Sequence, residues 1–201
     1  MTDPRFPRLR RSLRTLLLGI VIAAGAPARS VAGQETADEG GLPALVEFHL
    51  GATQLAEVWA GEAGVAALLD VGALHVGGGV WGILRRIDEG PVFEGSGLEL
   101  SLGYGGALIE YPVMGSTFSL RLLAGGGAAT LKTQAVGARF DTETFAVLEP
   151  SATAFVSFLP GISLGALLGY RWVKGADALF LAGDDDLRGP HAAVFLRLGG
   201  R

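Results

Sequence analysis

Residues 162–174 read ISLGALLGYRWVK, and the alternation in this stretch decides the fold. Taken with period two, one face carries Ile162, Leu164, Ala166, Leu168, Tyr170 and Trp172, and the other Ser163, Gly165, Leu167, Gly169 and Arg171. A β-strand sends successive side chains to opposite sides, so this segment has one continuously apolar face and one face of small residues around a charge. The split recurs in FAVLEPSATAFVSF (145–158), where Leu148, Ala152, Ala154, Val156 and Phe158 oppose Glu149, Ser151, Thr153 and Ser157. It recurs again in HAAVFLRL (191–198), where Ala192, Val194, Leu196 and Leu198 oppose His191, Ala193, Phe195 and Arg197. A water-soluble barrel would bury its apolar face. Here the unbroken apolar series has the larger side chains, which suits lipid, while the small-and-charged series suits a narrow lumen filled by a few long side chains.

Working outward, the pattern predicts eight strands over 46–54, 62–69, 74–85, 98–110, 118–132, 144–158, 162–174 and 190–198, with the limits of the first two open. Connections after the second, fourth and sixth strands are short (DVGA, YPVMGST, LPG), whereas RRIDEGPVFEGSG, QAVGARFDTE and GADALFLAGDDDLRG are long. An even strand number with short turns at one end and long loops at the other is the signature of an all-β, antiparallel up-and-down transmembrane β-barrel of the bacterial outer membrane. Both termini are then expected in the periplasm and the long acidic loops outside. An aromatic girdle is expected from Tyr104, Tyr111, Phe118, Phe145, Phe158, Tyr170 and Trp172, near strand ends. A helical membrane span over 71–84 is disfavoured because Asp70 and His75 interrupt it and Gly77, Gly78 and Gly79 each cost a helix about 1 kcal/mol relative to alanine.

Residues 1–32 are read as a cleaved signal peptide. Arg5, Arg8, Arg10, Arg11 and Arg14 precede an apolar stretch over 16–26, too short to span a bilayer as a helix, and Ser30 and Ala32 suit cleavage before Gly33. A polar lead follows over 33–43, and the barrel is expected over 44–201. Of the 16 basic and 20 acidic residues in the chain, Arg5, Arg8, Arg10, Arg11, Arg14, Arg29 and Asp3 leave with residues 1–32. That leaves 10 basic and 19 acidic residues, a charge near -9, with no concentrated positive patch for a phosphate backbone, so no nucleic-acid partner is expected. The chain has no cysteine, which excludes disulfides, a thiolate metal site and lipoprotein anchoring.

On this architecture, and on no specific motif, residues 44–201 resemble the family of small eight-stranded outer-membrane barrels that includes the transmembrane domain of OmpA and its OmpX-like and OmpW-like relatives. The resemblance implies a lumen plugged by charged and polar residues, and roles ranging from structural anchoring, adhesion or defence to small-solute passage or, occasionally, lipid modification. Relatives usually end in an aromatic residue read by the assembly machinery. This sequence ends VFLRLGGR, so Phe195 and Leu198 are expected to stand in for it. Expected partners are outer-membrane lipid and lipopolysaccharide, and the barrel-assembly machinery during insertion. The protein is expected to be a monomer.

By strand parity the inward charges are Glu47, His49, Glu99, Arg121, Glu149, Arg171, His191 and Arg197. Isolated buried ions are costly, and three glutamates, three arginines and two histidines make a balanced set. A structural salt-bridge plug is the first reading, and a passage for protons or small solutes the second. No catalytic residue, cofactor or metal ligand is assigned. No local spacing joins a histidine to a serine as acyl chemistry needs. The GGGVWG string (77–82) matches GxGxxG without the strand–helix context that a dinucleotide site requires, and its glycines are expected to admit an interior Trp81. The GDDDL run (183–187) could hold a cation or be a solvated loop. Three functions follow: a non-enzymatic barrel of structural or surface-interaction role, a narrow channel, or a soluble periplasmic barrel with Leu164, Leu168 and Trp172 turned inward on an apolar ligand.

Overall fold

The computed structural model describes residues 44–88, 93–114, 117–180 and 182–199, and the expected signal peptide and polar lead lie outside the described residues. Eight strands follow one another: β1 (Ala44–Leu55), β2 (Val58–Val71), β3 (Leu74–Ile83), β4 (Leu98–Met114), β5 (Phe118–Thr133), β6 (Arg139–Leu159), β7 (Ile162–Lys174) and β8 (Gly189–Gly199). Each pairs antiparallel with its sequence neighbour, and β8 pairs back onto β1 from Leu45↔Gly199 to Thr53↔His191, which closes the ring. Closure satisfies the backbone without leaving an edge, the condition for β-structure in lipid.

The register fixes which face is outside. Leu164, Leu168, Tyr170 and Trp172 of β7 point out, while Arg171 between them is 0% exposed. Phe48, Val80, Leu120, Val156 and Val194 continue the apolar surface around the ring. Such a continuous face far exceeds the patches soluble monomers carry, and it is the lipid-facing belt of a transmembrane barrel. A soluble ligand-binding barrel would need the reverse orientation of Leu164, Leu168, Trp172 and Arg171, so that alternative is corrected. The 13 residues of β7 exceed the roughly 9–11 that a tilted strand needs to cross. The 17 of β4, 16 of β5 and 21 of β6 carry those strands beyond the bilayer at the long-loop end.

Three expectations change. Residues 55–61 and 139–143, left outside the strands by the sequence pattern, are mostly strand. The first hairpin turns on Ala56 and Glu57 alone, both at positive φ (46 and 66). Favoured two-residue hairpins place glycine or asparagine there. Here the turn is held from outside, the Ala56 N–H donating to the Asp186 carbonyl at 2.6 Å. The girdle is smaller than expected, because Tyr104 and Phe145 are buried inside the barrel. Tyr111, Phe118 and Phe158 ring the short-turn end, and Tyr170 and Trp172, 5.2 Å apart between ring centroids, lie toward the other end with Trp59. Phe195 is also internal, leaving Leu198 alone of that pair on the outer surface.

Candidate functional site in the barrel lumen

Inward residues fall into two charged tiers beneath an apolar plug. Toward the short-turn end, Glu47 (β1), Glu110 (β4), Arg121 (β5) and Arg197 (β8) form a compact quartet, all buried. Arg121 donates from Nε to Glu110 Oε2 (3.0 Å) and from Nη2 to Glu47 Oε1 (2.9 Å). Its Nη1 lies 2.8 Å from Glu47 Oε2 but off the axis of a well-formed hydrogen bond. Arg197 donates from Nε to Glu47 (2.6 Å) and from Nη2 to Glu110 (2.8 Å). Two guanidinium forks thus clamp two carboxylates, the arrangement in which charge-assisted bonds are strongest and burial is compensated. His49 stands 2.9 Å from the other Glu47 oxygen, and His75 links Glu110 (3.2 Å) to Asp70 (3.1 Å) at the rim.

The second tier lies toward the long-loop end. Arg171 (β7) donates to Glu62 (β2) at 3.2 Å, to the Thr53 hydroxyl and to the Leu187 carbonyl at 3.2 Å. Glu149 (β6) is 3.3 Å from His191 Nε2 (β8). The Tyr104 hydroxyl (β4) lies 3.1 Å from Glu62 and 3.0 Å from Glu149. Aromatic rings fill the space between the ions. Trp81 stacks on Tyr104 (5.8 Å) and meets His49 edge-on (5.6 Å), while the guanidiniums of Arg171 and Arg197 sit over Tyr104 (4.8 Å) and Phe155 (4.3 Å). Cations over ring faces gain from the quadrupole where water is excluded. Glycine makes this filling possible. A Cβ on Gly64 would lie 2.1 Å from the Trp81 ring, and one on Gly165 2.3 Å from Phe195. Within GGGVWG, Gly79 serves the same packing, since a Cβ there would lie 2.4 Å from the Trp81 ring, as the lack of a nucleotide-binding context implied.

Seven of the eight residues singled out by parity, Glu47, His49, Arg121, Glu149, Arg171, His191 and Arg197, have their side chains in the lumen. Glu99 does not, and its placement is corrected. Leu98, Leu100 and Leu102 are the inward residues of upper β4, so Glu99 faces out and pairs with Arg86. The reason is that above Tyr104 the lumen ceases to be polar, and the rule that large apolar residues point to lipid inverts there. Glu62, Glu110 and Tyr104, absent from the sequence-derived set, complete the tiers. Their parity with Leu100 and Leu102 in β4 could have shown Glu110 and Tyr104, had those leucines been recognised as internal.

Over the tiers sits the plug. Leu55, Leu100, Leu131, Phe145, Val147 and Val173 from the strands pack with Ile87 and Phe93 from the β3–β4 loop and with Leu179 and Leu187 from the β7–β8 loop. The latter loop contains the four-residue helix α1 (Asp184–Leu187), and its acidic run has internal uses. Asp184 is buried and accepts from Lys174 Nζ (2.8 Å) and the Ala176 N–H (2.7 Å). Asp186 accepts from the Gly183 N–H (2.9 Å), and Asp185 pairs with Arg188 (2.6 Å). Lys174 and the Ala176 amide hold the Asp184 carboxyl below the usual carboxylate range. Among the described residues no acidic or histidine cluster has the makings of a metal site. A lumen cavity of about 10 Å³ is lined by His49, Glu62, Glu149 and His191 among others, roughly the room one water requires.

No family model matches the sequence, and no curated protein matches it. Solved structures do. Neisserial surface protein A is similar with a TM-score of 0.49 and 12% identity, over 78% of this chain and 96% of that one. Ail, the attachment invasion locus protein of Yersinia pestis, gives 0.47 and 11% over 78% and 95%. OmpT, an outer membrane protein of Vibrio cholerae, gives 0.26 and 13% over 76% of this chain and 47% of that one. Likenesses at this level concern the fold and bring no function with them.

Proposed function

We propose that the chain is a non-enzymatic barrel of the outer membrane whose role is structural or one of surface interaction, exercised through its long-loop end. The observation that carries this reading is the filled lumen: among the described residues, two ionic tiers and an aromatic packing layer surround a cavity of about 10 Å³ and an apolar plug lies over them. A lumen so packed offers no water-filled path for solute among the described residues, and it places all three histidines against carboxylates. What remains to the outside is the cap formed by the described residues of the β3–β4 and β7–β8 loops, 84–88, 93–97, 175–180 and 182–188.

Charge supports the orientation with both termini in the periplasm. Among the described residues every lysine or arginine outside the lumen, namely Arg85, Arg86, Lys132, Arg139, Lys174 and Arg188, lies at the long-loop end of its strand or in a loop there. Arg86, Lys174 and Arg188 pair with Glu99, Asp184 and Asp185, and directly above an apolar belt Arg85, Lys132 and Arg139 suit the phosphates of lipopolysaccharide in the outer leaflet. Because the closed ring has no strand edge to complete, a monomer is the expected state, inserted by the barrel-assembly machinery. The test is fractionation of the expressed precursor, electrophoretic mobility with and without boiling, and conductance in a planar bilayer. The reading expects outer-membrane recovery, a heat-dependent mobility shift and no discrete conductance. Recovery without detergent would overturn the membrane assignment, and stable single-channel steps would turn the assignment to a narrow channel.

A further inference from the structure

The two tiers differ in charge. The lower has two carboxylates and two guanidiniums, but the upper sets Glu62 and Glu149 against Arg171 alone, all three buried. Arg171 divides its nitrogens among Glu62, Thr53 and the Leu187 carbonyl, and none reaches Glu149. Both carboxyl groups nevertheless meet one phenol oxygen, at 3.1 and 3.0 Å. A tyrosine hydroxyl has a single hydrogen. It can be donated to one carboxylate, and the second contact is a hydrogen bond only when a carboxyl group supplies its own proton. The remaining polar groups facing the pair do not remove the surplus charge. His49 is turned to Glu47, Arg121 is engaged by Glu47 and Glu110, and His191 reaches Glu149 through Nε2 at 3.3 Å, a contact that a neutral imidazole makes with its one N–H, whereas an imidazolium adds a donor at Nδ1, which has no protein acceptor among the described residues.

We infer that the upper tier is a proton-binding site, in which Glu149 is a neutral carboxylic acid donating to the Tyr104 oxygen while Tyr104 donates to ionised Glu62. Arg171 selects the position, since it bonds Glu62 and leaves Glu149 without a cation. The adjoining cavity, lined by both carboxyl groups, His49 and His191, lies on the polar side of the plug.

The experiment is infrared spectroscopy of the full barrel folded in detergent at neutral pH, in H₂O and D₂O, where solvent-exposed acids are ionised and give no carboxylic-acid C=O band. The expected result is one such band per chain in the wild type, lost in Glu149→Gln and shifted in frequency in Tyr104→Phe, with heat-dependent mobility verifying the fold of each variant. No band in the wild type overturns the inference, and needs no variant to fold. A band that persists in Glu149→Gln, or is unmoved in Tyr104→Phe, overturns the assignment to this trio.

Discussion

Arg121→Met tests whether the lower quartet holds the barrel together. The substitution keeps an unbranched stem but removes hydrogen bonds to two carboxylates, Glu47 and Glu110, each 0% exposed. Two negative charges then face Arg197 alone. Removing one partner from a buried, hydrogen-bonded ion pair typically costs about 3–5 kcal/mol, and that is the expected loss. Adding Glu110→Gln removes the surplus charge, leaves the Arg197–Glu47 pair at 2.6 Å and keeps a side-chain oxygen opposite Arg197 Nη2. The double variant is therefore expected to be more stable than Arg121→Met alone by about 2 kcal/mol, within the range of coupling between residues of one network. Urea unfolding of the barrel in lipid vesicles, followed by tryptophan emission, measures both quantities. A single-variant loss below about 1 kcal/mol, the scale of exposed pairs, or a double variant no more stable than Arg121→Met would refute the reasoning.

Gly165→Ala is expected to lower stability by about 1–3 kcal/mol through overpacking, because the new Cβ meets the Phe195 ring at 2.3 Å. Gly82→Ala, with only the Leu102 carbonyl at 3.5 Å, should shift the urea midpoint much less, and equal shifts would contradict the packing account. Glu57→Gly relieves a left-handed backbone at φ 66 and should raise stability by about 1 kcal/mol, read from the same midpoint; a fall would show that the Glu57 side chain matters more than its backbone. Asp184 gives a pH prediction. Its carboxyl, held below the usual range by the Lys174 ammonium, stabilises the loop above the unfolded-state value, and that contribution is lost as pH falls through the lowered folded-state value. Amide exchange at Ala176, corrected for intrinsic rate, should rise on acidification below the ordinary carboxylate range, while Asp184→Asn flattens the profile and Asp185→Asn leaves it unchanged. A flat wild-type profile would rule out the latch.

Period-two alternation, together with the connection lengths and the larger apolar side chains on one face of β6, β7 and β8, was enough to read the barrel, its strand number and the lipid-facing side, because lipid imposes one requirement on a face at bilayer depth. Seven of the eight side chains that parity placed inward were legible for the same reason. Glu99 was not, and neither were Tyr104 and Phe145, which the sequence assigns to the girdle and the structure buries. Alternation names two faces without saying which is inside, and the assumption that large apolar residues face lipid holds only at bilayer depth. Above it, the extended β4, β5 and β6 enclose a conventional apolar core.

The sequence by itself therefore determined a closed all-β architecture, since strand periodicity and connection lengths are local properties. Only the tertiary structure decided how the lumen is filled. The staggering of strands around the ring brings Glu110 of β4 beside Glu47 of β1, sets Tyr104 between Glu62 and Glu149, and lays the β7–β8 loop over the mouth so that Asp186 holds the turn at Ala56. These contacts join residues from 45 to more than 100 positions apart, and register, which no single strand encodes, is what selects them.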